Sequence, residues 1–282
     1  MSERLADVAA RIDGIRQLGS VVNAMRGIAG ARIQKVRQEL AAVDAYSETI
    51  AETLGRVLAI GSPTGGAGAG SGRIVRIVFC AEQGFAGAFS ERVLDAIGGD
   101  AEPAMLFLIG TRGHALAQER GITADFAAAM PSHSAGVPKL AGDIVDSLAA
   151  KIAKGRVDRA EAVYAETAGA AGLTVVRRPL LPLDPHTFAH AAHAREPILN
   201  LPVPQLLADL TMEYLHALIC GTALHAFAAE NQARMAAMAS AHREIDRQLG
   251  VLQASYRHVR QEQITAEIVE LAGGQAASRE RI

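Results

Sequence analysis

Two unbroken three–four hydrophobic repeats, one at each end of the chain, constrain this sequence more than any other feature. The first runs from Leu5 through Val8, Ile12, Ile15 and Val22 to Leu54 and Val57. Thirteen of its sixteen seam positions are apolar, and only Gly19, Arg26 and Ser47 break the pattern. The second runs from Leu207 and Leu210 to Val259, Gln263 and Ala266. Fourteen of its eighteen positions are apolar, Gly221, Asn231, His242 and Gln263 being the exceptions. A repeat of 3.5 residues held this long specifies left-handed coiled-coil packing. At about 1.5 Å per residue the helices extend roughly 85 and 100 Å, far beyond what a compact core needs. Hydrophobic residues make up 50% of the chain, but aromatics make up only 4% and Trp is absent. Burial therefore falls to Ala, Leu, Ile and Val, which suit narrow helix–helix seams.

Between the two repeats the pattern changes. Residues 61–72 are Gly-rich and read as a linker. A phosphate loop is excluded there on context, because the stretch follows a helix, precedes a strand and lacks Lys-Ser/Thr. From 73 to 185 strand-like runs (Ile74–Cys80, Ala104–Ile109, Ile122–Phe126, Ala160–Thr167, Leu173–Leu181) alternate with helix-like runs (Ala86–Ile97, Thr111–Arg120, Pro138–Lys154). Such alternation implies a mostly parallel sheet flanked by helices. Residues 186–204 form a Pro- and His-containing connector. The C-terminal helix begins near Pro204, and Gly273-Gly274 reads as its stop.

The expected fold class is α/β: a Rossmann-like central domain plus a long antiparallel coiled coil of the N- and C-terminal helices. The boundaries are 1–60 for the first helix, 61–72 for the linker, 73–185 for the α/β domain, 186–204 for the connector and 205–282 for the second helix. Placing Val57 beside Leu207 puts Leu5 near Val259. Residues beyond about 260 then project as a single helix.

Charge and composition exclude several functions. Net charge is −2 and the pI is about 6.5, against wholesale nucleic-acid binding. No apolar run reaches the roughly 18 residues of a membrane span, and the charged N-terminus lacks a signal-peptide core. Cys80 and Cys220 stand alone in apolar stretches, a pattern that suits a reducing compartment. His186, His190 and His193 could gather a metal on one helix face, but Pro185 and Pro197 bracket them and a surface connector is the better reading. Gly84 and Gly87 lack the G-x-G-x-x-G spacing, and no ribose-binding carboxylate ends the next strand. They read as glycines for close strand–helix packing. No catalytic constellation, cofactor or metal site is expected.

Several segments then bring a family into view. Ala229-Glu230-Asn231-Gln232-Ala233-Arg234-Met235-Ala236-Ala237-Met238 is similar to the "SE…ARM-x-AM" segment of F-type ATP synthase gamma subunits. Tyr256 followed by Arg260-Gln261-Glu262-Gln263-Ile264-Thr265-Ala266-Glu267 resembles that family's "Y…RQ-x-x-IT-x-E" signature. Ala24-Met25-x-x-Ile28-Ala29-x-Ala31-Arg32, the turn Glu82-Gln83-Gly84-Phe85-Ala86-Gly87-Ala88-Phe89-Ser90, and Ile109-Gly110-Thr111-Arg112-Gly113 follow in family order. The chain departs from the pattern at Ala239-Ser240-Ala241-His242, where the family usually has an Asp-x-Ala-Thr run. It thus resembles a divergent or alternative-complex member.

The resemblance implies a central rotor stalk, noncatalytic on its own. It couples ion flow through the membrane sector to ATP synthesis or hydrolysis in the catalytic head. The implied partners are the alpha and beta subunits of the head, the epsilon subunit and the membrane c-ring. The implied location is peripheral, on the cytoplasmic side of the inner membrane. Head-contact candidates are Met25, Arg26, Arg32, Lys35 and Arg37 on the first helix, and Arg260, Gln261, Gln263, Thr265 and Glu267 on the second. Residues 14–38 contain no Asp or Glu, so Arg16, Arg26, Arg32, Lys35 and Arg37 form a basic collar suited to acidic loops. The alternative is a Rossmann-like nucleotide-binding enzyme with coiled-coil oligomerisation arms, which needs a cofactor fingerprint that is not found.

Overall fold

A computed structural model describes residues 2–60, 73–98, 104–167, 172–183, 188 and 198–279. The Gly-rich linker and the three connector histidines lie outside the described residues. The elements run α1 (Ser2–Ile60), β1 (Arg73–Phe79), α2 (Phe89–Asp95), β2 (Ala104–Ile109), α3 (Thr111–Glu119), β3 (Phe126–Ala128), a 3-10 turn (Ser134–Gly136), α4 (Val137–Ala153), β4 (Val157–Thr167), β5 (Leu173–Leu181) and α5 (Val203–Arg279). The chain forms two compact units, Met1–Ile28 with Met235–Ile282, and Ala29–Arg234.

In the first unit the two terminal segments form an antiparallel helix pair. Val22, Met238 and Ile245 make its buried seam, with Ile15, Met25, Ala241 and Leu249 against them. Gly19 permits the close approach, since a Cβ there would lie 3.3 Å from Ile245 Cγ2. That is the register expected from the spacing of the two repeats.

The second unit holds the rest of both helices and the α/β domain. Sheet order is β3-β2-β1-β4-β5, with β5 antiparallel to β4 and the other pairs parallel. Strand alternation sends Val75, Ile77 and Phe79 to one face, where α4 packs through Leu140, Ile144 and Leu148. The same core takes in Val36, Ile50 and Leu54 of α1 and Leu215, Ile219 and Phe227 of α5. The opposite face, through Val78, Leu106, Leu108 and Val163, is covered by Phe89 and Val93 of α2 and Ala117 of α3. Gly221 of α5 meets Val43 of α1, where an added Cβ would lie 3.8 Å from Val43 Cγ1. Tyr46 donates a hydrogen bond to Glu213 across the same seam, which raises the phenol's pKa.

Several bounds differ from the sequence reading: α2 is shorter, at Phe89–Asp95 rather than Ala86–Ile97, and β4 starts at Val157 rather than Ala160. Two further differences have a direct cause. The third strand occupies Phe126–Ala128 rather than Ile122–Phe126. Gly121 (φ 73°) turns the chain out of α3, and the Ile122 amide is taken by the Ala117 carbonyl. Asp125 then uses its carboxylate, at 2.9 Å, to accept the Leu106 amide. Helix α5 continues through Gly273-Gly274 to Arg279. Two interior glycines cost about 2 kcal/mol, which is not enough to end a helix when good helix formers such as Gln275, Ala276 and Ala277 follow.

Candidate functional site

The second unit contains a largely buried polar network at the turn after β1. Glu230 and Arg234 sit one helical turn apart on α5, each 4% exposed, with buried Asn231 between them. They pair with each other, and Arg234 Nη1 also donates to Asn231 Oδ1 at 3.2 Å. Both then grip the turn after β1. The Glu230 carboxylate accepts the Glu82 and Gln83 amides at 3.2 and 3.3 Å. The Arg234 guanidinium donates to the Gln83 and Gly84 carbonyls, both at 3.3 Å. Glu82 extends the grip. Its carboxylate accepts the Thr111 amide and hydroxyl, both at 2.9 Å, and the Met130 amide at 2.8 Å. One turn is thereby tied to α5, to the start of α3 and to the segment after β3.

The turn presents Phe85, 68% exposed and at φ 63°, a backbone region that favours glycine. The expectation that Gly84 and Gly87 serve close strand–helix packing is corrected here. A Cβ at either would meet nothing within 4 Å, and Gly87 is needed for its φ of 60°. The close approach lies instead at Gly110 and Gly113. A Cβ at Gly110 would sit 2.8 Å from the Ala81 carbonyl oxygen, and one at Gly113 would overlap Cys80.

Both cysteines are buried and free. Burial pushes the Cys80 thiol up to about 12 and the Cys220 thiol to about 11. Burial and a hydrogen bond to Glu166 raise the Tyr164 phenol to about 12.

The contact candidates fall on both units. In the first, Met25 is half-buried against the Val22 seam, and exposed Arg26 donates to Asn23 Oδ1 at 3.2 Å. Arg16 pairs with Asp13 at 3.2 Å, an acid just outside the acid-free stretch. On α5, Arg260, Gln261, Thr265 and Glu267 are exposed. Gln263 donates to Glu267 at 3.1 Å, and the Thr265 hydroxyl donates to the Gln261 carbonyl at 2.9 Å. The helix around them shows Ile264, Ile268, Val269 and Leu271, exposed by 46% to 73%. In the second unit Arg32 is half-buried, Arg37 is exposed and Lys35 stands 3.9 Å from Glu39.

In the sequence Glu230 and Arg234 stand within the segment similar to the family motif, and the one signal of a role is their i, i+4 acid–base spacing. The pair's partners, the backbone groups of a turn some 150 residues away, leave no mark on side-chain spacing.

A Rossmann-like α/β domain packed on two long heptad helices, and tied to one of them by a buried ion pair, has the architecture of a stalk class of protein. The comparisons agree. The family model described as ATP synthase matches residues 4–277. The ATP synthase gamma chain of Chlorobium luteolum is 27% identical, the alignment covering 96% of this chain and 97% of that one. The Symbiobacterium thermophilum gamma chain is 26% identical, with 97% and 98% covered. The fold matches a chain in the Euglena gracilis mitochondrial ATP synthase (OSCP/F1/c-ring, rotational state 3) with a TM-score of 0.68 at 16% identity, covering 98% of this chain and 95% of that one. The chain belongs to the ATP synthase gamma-subunit family. The oligomerising-enzyme alternative is not favoured.

Proposed function

We propose that this chain turns as the central rotor of an ATP synthase and performs no bond chemistry itself. The observation that carries the proposal is the bare apolar surface of α5 at Ile264, Ile268, Val269 and Leu271. A helix that exposes this much large apolar side chain requires a covering partner. The acid-free segment 14–38 of α1 adds a basic surface. An enclosing ring of alpha and beta subunits supplies both kinds of cover. As the asymmetric stalk turns, it changes the relative free energies of the catalytic-site conformations in sequence. The Euglena neighbour's assembly includes a c-ring, and the proposed partners here are likewise a c-ring and an epsilon subunit, at the α/β domain. The chain would be peripheral on the cytoplasmic side of the inner membrane, held through its partners. Among the described residues no helix is long and apolar enough to cross a membrane.

Co-expression with alpha and beta subunits tests the reading. One copy of this chain per six head subunits, with ATPase activity that depends on it, is the expected result. A chain that ignores the head subunits overturns it. For the contact residues, charge reversal at Arg32 and Lys35 should lower coupling. Gln263→Ala with Thr265→Ala should weaken coupled ATP synthesis while the subunit still assembles. Unchanged coupling in both would remove these residues from the contact surface.

A further inference from the structure

We propose that Glu82, Glu230 and Arg234 are positioning residues for rotation: they form the joint through which twist passes between α5 and the α/β domain. The inference rests on the rotor reading and adds the place where load crosses within the second unit. A rotor must resist sliding of its helix against the domain it turns. Apolar contacts are non-directional and tolerate sliding. The rest of the α5 surface against the sheet is mainly apolar, through Leu215, Ile219, Ala223 and Phe227, with His225 in ring contact with Tyr164. His216 adds one exposed contact, its Nε2 lying 3.0 Å from the Pro138 carbonyl.

The network differs from that surface in kind. Glu230 reads two backbone N–H groups of the turn, and Arg234 reads two carbonyls of the same turn. Opposed donor and acceptor contacts on one stretch of backbone fix α5 in both translation and rotation. Glu82 passes the constraint on to Thr111 and Met130. Such a pair is not needed for stability, because a buried ion pair generally contributes no more than apolar residues of similar volume. What it supplies is orientation. Arg is suited to the task because its planar fork spans several acceptors at once, which the Lys ammonium cannot do.

The test uses the assembled complex in inverted membrane vesicles. Glu230→Leu with Arg234→Leu keeps the volume and removes the directional bonds. ATP hydrolysis and ATP-driven ion pumping are measured on the same vesicles, together with the amount of assembled complex. The joint predicts that ions pumped per ATP fall while hydrolysis per complex persists. A purely structural role would lower hydrolysis and pumping together with assembly, leaving ions per ATP unchanged, and that result overturns the proposal. If the double variant does not assemble, Arg234→Lys is read the same way: a lowered ratio supports the joint and an unchanged ratio refutes it. Failure of the rotor reading itself is distinguishable, because the unmodified chain would then support no pumping at all.

Discussion

Gly113→Ala sets two physical effects against each other. Gly113 lies in α3, where Ala is favoured over Gly by about 1 kcal/mol. Helix propensity alone therefore predicts stabilisation. The structure predicts the reverse. The new Cβ would overlap the Cys80 Cβ and sit 2.7 Å from its Sγ, whereas carbon contacts settle at roughly 3.5–4.0 Å. The obstacle adjoins the end of a central strand, so no side-chain rotation relieves it and α3 has to move. Overpacking of this kind costs up to about 3 kcal/mol. Net destabilisation is then about 2 kcal/mol, or roughly 30-fold in the opening equilibrium. Cys80 reports the opening directly, since its thiol is buried and pushed up to about 12. In a Cys220→Ser background, the rate of Cys80 modification by a thiol reagent at pH 8 should rise roughly 30-fold. Gly142→Ala in α4 is the control, because a Cβ there meets nothing within 4 Å. Modification no faster in Gly113→Ala than in Gly142→Ala would refute the steric argument.

Gly14→Ala and Gly27→Ala also add a methyl group that meets nothing within 4 Å; each should stabilise α1 by up to about 1 kcal/mol, read as a raised midpoint of helix melting by circular dichroism. Arg247 and Gln248 donate to Glu244 and lower its carboxyl to about 2. NMR titration should find Glu244 ionised until about pH 2, and Arg247→Ala should move the midpoint upward. Burial and Glu166 raise Tyr164 to about 12. The folded chain then keeps a proton that the unfolded chain loses near pH 10, so stability present below that pH falls as pH rises towards 12. Tyr164→Phe should flatten that fall in denaturation curves taken across the window.

The long helices were readable because a seam needs only periodicity, and both the Gly19–Ile245 and Val43–Gly221 contacts keep the expected register. Strands β2 and β5 fall at their expected bounds, since each is an apolar or β-branched run closed by turn residues. Strand β3 lies later than hydrophobicity alone places it because the Asp125 side chain takes the Leu106 amide, a contact that hydrophobicity does not register. The glycines show a similar limit. Gly110 and Gly113 are required by where Cys80 sits, whereas Gly84 and Gly87 face open space. The Glu82–Glu230–Arg234 network was hidden because its partners are largely backbone groups distant in the chain.

The rotor claim is tested most directly by watching the chain turn. Lys154 is exposed just beyond α4, while both native cysteines are buried. Lys154→Cys therefore offers a selective attachment point for a bead on a complex whose alpha and beta subunits are fixed to glass. The account predicts unidirectional rotation of the bead when ATP is added. A bead that stays still, or only diffuses, on complexes that are hydrolysing ATP would contradict it.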